Sequence, residues 1–115
     1  MQKLLAFLVA LFCVFISVSQ VNKDSLWNIW NDHKLDDSIR LNAIDHLAWK
    51  GYLFSQPDSA FYLAQLQYKL AESSGDKALM AKALLTKGSS NYIQSNYNLA
   101  IEYYEKSLII YQAIN

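Results

Sequence analysis

Two stretches of the chain, Leu41 to Glu72 and Ala81 to Gln112, put the same kinds of residue at the same points forty residues apart. Ala43 corresponds to Ala83, Tyr52 to Tyr92, Ser55 to Ser95 and Ala60 to Ala100. Ile44 answers Leu84, Ala48 answers Gly88, Phe61 answers Ile101 and Tyr68 answers Leu108. Repetition at such a period marks a stacked helical array, in which each unit buries its apolar face against the next. It also bears on function, because arrays of this kind present extended surfaces that bind rather than catalyse.

The rest of the composition agrees. A chain of 115 residues makes one modest domain at most. Three glycines and one proline favour long helices over a turn-rich β fold. Ten basic and ten acidic residues cancel, and neither sign forms a block, so nothing argues for nucleic acid as a partner. Cys13 is the one cysteine, which excludes a disulfide framework or a cysteine-based metal site within one chain.

The first residues read as an address. Lys3 precedes an apolar run from Leu4 to Val18, the length of a signal-peptide core and short of the ~20 apolar residues of a spanning helix. Ser17 and Ser19 place small residues where a signal peptidase reads, so residues 1–19 are expected to be removed before Gln20. The competing reading is an uncleaved anchor. Lipidation at Cys13 is disfavoured by the bulky Phe12 before it.

Residues 20–37 form a polar lead-in holding Leu26, Ile29 and Trp30 on one helical face, expected as a short capping helix from about Ser25. Asp36, Asp37 and Ser38 offer N-cap oxygens for a helix from about Ser38 to Phe54. Pro57 suits the first turn of a second helix running to about Ser73, after which Gly75 supplies a left-handed cap and Asp76 a new start. Helix three is expected over about Lys77 to Ser95 and helix four over about Tyr97 to Ile114. The short joint between them makes them antiparallel neighbours.

The segment Leu84 to Leu108, LLTKGSSNYIQSNYNLAIEYYEKSL, resembles a tetratricopeptide repeat. Gly88 stands at the tight-packing glycine of the first helix, Tyr97 at the aromatic opening the second, Ala100 at its small residue, Tyr104 at its aromatic, and Ser107 at the small residue near its end. Asn91 replaces a common aromatic, Gln112 the closing proline, and the period of forty exceeds the ~34 of the commonest form. The earlier repeat matches through Ala48, Tyr52, Ala60 and Ala64, while Gly51 and Pro57 depart from the pattern. The resemblance implies an all-α fold of antiparallel helix pairs stacked as a short solenoid over residues 38–115, with repeats at about 41–73 and 81–113.

The layout is also similar to the start of bacterial sensor proteins in which a signal peptide and long-period repeats precede a membrane segment and an output domain. On that likeness the chain is either an exported, periplasmic or membrane-associated module that binds a protein or peptide, or the sensory front of a histidine kinase or nucleotide cyclase. In the repeat family the first helix of each pair lines a groove. By register that groove takes Asn42, Asp45, Trp49 and Tyr52 from one repeat and Lys82, Leu85, Ser89 and Tyr92 from the next.

No residues argue for chemistry. His33 beside Asp32, Asp36 and Asp37 reads as caps and solvated turns, and Asp45–His46 as an exposed pair. No glycine-rich phosphate loop occurs, and no cofactor or metal is expected. The tyrosines read as contact fillers with wet hydroxyls, and Glu102 is placed to pair with Lys106. The apolar run Leu108 to Tyr111 leaves an open C-terminal end, through which a two-repeat array is expected to self-associate or to be only marginally stable.

Overall fold

A computed structural model describes residues 2–6 and 21–115. Residues 7–19 of the expected signal peptide, with its cleavage point and Cys13, lie outside the described residues. From residue 21 onward the chain is helical apart from short connections, and no strand occurs among the described residues. Helix α1 spans Lys23–Asn31, α2 spans Asp37–His46 and continues as a π-helical turn over Leu47–Tyr52, α3 spans Pro57–Ser74, α4 Lys77–Ile93 and α5 Tyr97–Ile114. The start of α4 falls forty residues after that of α2, and both ends of α5 fall forty residues after those of α3. The periodicity of the sequence is therefore repeated in the bounds of the elements.

Consecutive helices run antiparallel. Along α2 and α3, Asp37 meets Ser74 while Asp45 meets Gln67. Along α3 and α4, Pro57 meets Ser90 while Gln67 meets Leu79. Along α4 and α5, Ser89 meets Tyr104 while Ala81 meets Ser107.

Local chemistry sets the ends. The Asn22 side chain accepts a hydrogen bond from the Ser25 amide at 3.1 Å, so α1 starts two residues before the expected Ser25. At α2 the expected side-chain cap is absent. Asp36 holds the N-cap position, but its backbone carbonyl, not its carboxylate, accepts from the Ile39 and Arg40 amides. Asp37 is drawn elsewhere, accepting from the Ser74 hydroxyl at 2.8 Å and lying 3.7 Å from Arg40. Pro57 occupies the first turn of α3, where its missing N–H costs nothing.

Helices α3 and α4 end by one device. A residue turns left-handed, Gly75 at φ 75° and Ser95 at φ 64°. The next amide then reaches back five residues, Asp76 to the Ala71 carbonyl and Asn96 to the Asn91 carbonyl. This turn stops α4 at Ile93, two residues short of the expected Ser95. Asp76 caps α4 by accepting from the Leu79 amide at 3.0 Å.

The core divides by size. Ile44, Leu47, Ala48 and Leu63 pack together beneath Leu26, Trp27, Trp30, Tyr52 and Leu66, so α1 closes the open face of the first pair. Arg40 fastens α1 in place. Its Nε donates to the Trp30 carbonyl at 2.9 Å and its guanidinium lies 4.9 Å from the Trp30 ring centroid. Between α4 and α5 the buried residues are small instead. Ala81, Gly88, Ala100 and Ser107 let the backbones come close, and the Ser107 hydroxyl donates to the Ala81 carbonyl at 2.7 Å. Ala60 and Ala100, equivalent by sequence, are equally buried. Tyr97 departs from its expected packing role: it is exposed and meets Tyr92 edge to face at 5.5 Å.

Candidate functional site

The expected groove residues do not form one surface. The π-helical turn explains part of this. Within it the Leu53 amide reaches the Ala48 carbonyl five residues back, which inserts a residue into the winding and re-aims the side chains around it. Trp49 is carried out toward α4, while Tyr52 is turned toward α1, where the Lys23 ammonium lies 4.3 Å from its ring centroid. Tyr52 thereby joins Trp27, Asp58 and Tyr62 around a separate cavity of about 410 Å³.

Four of the eight residues do converge. Asp45 and Trp49 from the first pair and Lys82 and Leu85 from the second line a cleft of about 220 Å³, completed by Thr86 and Tyr111. Trp49 and Leu85 supply apolar walls, Asp45 a carboxylate, Lys82 an exposed ammonium and Tyr111 a phenol. Gln67, wholly buried, donates through Nε2 to the Asp45 carboxylate at 3.0 Å and to the Leu79 carbonyl at 3.0 Å, which orients the carboxylate from behind. Burial raises the Tyr111 hydroxyl above its ordinary pKa, and the negative Asp45 adds to the effect, so the phenol is a neutral donor at physiological pH.

The other expected groove residues are engaged elsewhere. Asn42 donates to the Ser38 carbonyl within its own helix. Ser89 shares a hydrogen bond with the Tyr104 hydroxyl at 2.9 Å. Tyr92 stacks on Tyr97 beyond the cleft. Thr86 and Tyr111 were missed by register, although both carry a signal: Thr86 lies four residues after Lys82, and Tyr111 seven after Tyr104 on the same helical face.

An acceptor, a charged donor and a phenol ring an apolar slot, a combination of groups that can orient a bound molecule. Among the described residues no three His, Cys, Asp or Glu side chains gather as metal ligands, and no helix is long and apolar enough to cross a membrane. The expected Glu102–Lys106 pair does not form; Lys106 lies over the Tyr103 ring instead, its nitrogen 5.4 Å from the centroid. Compared with family models, with curated proteins and with solved structures, the chain matches none.

Proposed function

We propose that the chain is an exported tetratricopeptide-like scaffold, a short solenoid of two helix pairs, that captures a protein or peptide without covalent chemistry. The observation carrying this reading is the cleft in which Asp45 and Trp49 of one pair meet Lys82 and Leu85 of the next. Residues from two equivalent helices share one recess, as a groove running across stacked repeats requires. Export rests on the apolar run from Leu4 to Val18. Solenoid stacking is supported by the recurrence of helix ends at forty residues and by the antiparallel order of the pairs.

An extended segment suits this slot better than a small, fully enclosed ligand. The Asp45 carboxylate can accept a backbone N–H and the Lys82 ammonium can donate to a carbonyl, while Trp49 offers the broad face typical of a binding hot spot. Selection of binders from a random peptide library on the full chain tests the reading. Trp49→Ala is expected to weaken the selected peptide at least tenfold with helical circular dichroism unchanged, and Tyr92→Ala to leave it unaltered. Equal affinity for the Trp49→Ala variant removes the assignment.

A further inference from the structure

Leu84 and Lys87 lie about 200° around α4 from Lys82 and Leu85 respectively, at ~100° per residue, so they face away from the Trp49 cleft. On that side Tyr68 from α3 and Tyr103, Lys106 and Ile110 from α5 join them around an open cleft of about 480 Å³. The Lys87 ammonium stands 5.3 Å from the ring centroid of Phe61, 5.5 Å from that of Tyr68 and 5.6 Å from that of Tyr103. Lys106 approaches the same Tyr103 ring, so two ammonium groups share one tyrosine. Lys69 adds a third positive charge close enough to act on Lys87.

Among the described residues none of these lysines is ion-paired with a carboxylate. Among the described residues the one ion pair joins Arg40 to Asp37 at the start of α2. The ring faces attract each ammonium, but they leave the repulsion among the three unrelieved. Burial, then Lys106, then Lys69 push Lys87 below the ordinary lysine range. An anion seated between Lys87 and Lys106 reverses that penalty, since opposite charge favours the protonated amine.

We propose that this cleft is a second binding site, on the face opposite the Trp49 cleft, for an acidic segment of a protein partner in which a Glu or Asp carboxylate adjoins an apolar side chain. The carboxylate takes the lysines; the apolar side chain lies on Leu84 and Ile110. The walls choose between anions. Aromatic and aliphatic walls reward an apolar body beside the charge, which a hydrated phosphate lacks.

Fluorescence anisotropy on the full chain tests this, with a labelled, end-blocked peptide of alternating Glu and Leu and its counterpart carrying Gln for Glu. The Glu peptide is expected to bind, to weaken with added salt, and to lose about tenfold or more on Lys87→Gln and on Lys106→Gln, as loss of a charged hydrogen-bond partner implies. Lys106 is exposed, so its variant keeps the test valid should Lys87→Gln disturb folding. Trp49→Ala is expected to leave this binding untouched, which separates the site from the groove. Absence of binding by the Glu peptide, equal binding of the Gln peptide, or wild-type affinity in both lysine variants overturns the proposal. So does displacement by inorganic phosphate at the peptide's own concentration, or capture by phosphatidylserine vesicles in its place.

Discussion

Gly88 lies directly beneath the ring of Tyr104: a Cβ built on it would stand 2.7 Å from two ring carbons and 3.2 Å from the Ala100 carbonyl oxygen. The ring cannot swing away freely, because its hydroxyl is hydrogen-bonded to Ser89 at 2.9 Å. In mid-helix, alanine normally gains roughly 1 kcal/mol over glycine. Here overpacking outweighs that gain, and Gly88→Ala is expected to destabilise by about 1–3 kcal/mol in denaturant titration. Tyr104→Ala, which removes the ring, should make the same change markedly less costly in a double-mutant cycle.

The left-handed positions at the ends of α3 and α4 hold different residues, and the difference is measurable. Gly75 has nothing within 4 Å of a Cβ, so Gly75→Ala costs only backbone strain, about 1 kcal/mol. Ser95 already bears that strain at φ 64°. Ser95→Gly is therefore expected to stabilise by about 0.5–1 kcal/mol, the relief being partly offset by glycine's greater freedom in the unfolded chain. Thermal melts of the two variants should move in opposite directions.

Arg40 is the tie between α1 and the first helix pair. Arg40→Met keeps the apolar stem over Trp30 but removes the bond to the Trp30 carbonyl, and should cost about 1–3 kcal/mol. Hydrogen exchange is expected to show the loss concentrated in Lys23–Asn31, because the packing of α4 on α5 does not depend on it.

Lys87 predicts a pH dependence of definite sign. Its folded pKa lies below the ordinary lysine value of 10.5, so between the two the unfolded chain binds more protons and this residue's contribution to stability rises with pH. At neutral pH the ammonium is charged in both states and the full penalty is present. The stability of Lys87→Gln relative to wild type should be greatest near neutrality and shrink as pH climbs toward 10.5. Tyr111, raised by burial and by Asp45, acts in the opposite direction at alkaline pH, and comparing the two proteins cancels it.

Much of this fold was written in local signals. Pro57, Gly75 and Asp76 each mark an element end through their own backbone or side-chain chemistry, and each stands where that chemistry predicts. The recurrence of small residues located Ala60 and Ala100 in the core because close helix approach admits little else. What stayed illegible depends on partners far along the chain. Asp37 abandons a capping role for Ser74, a residue thirty-seven positions away. The π-helical turn has no motif of its own, yet it decides that Trp49 and Tyr52 look in different directions. Tyr111 enters the cleft from the last helix, so a register that drew the groove from first helices alone passed over it.

The cleft itself is tested most directly by the emission of Trp49. In the full chain carrying Trp27→Phe and Trp30→Phe, Trp49 is the single tryptophan. A peptide selected on the wild-type chain should shift that emission to shorter wavelength and saturate at the concentration seen by anisotropy, since binding covers a ring now 36% exposed. A peptide that binds this variant with undiminished affinity while leaving the Trp49 emission unchanged would contradict the account.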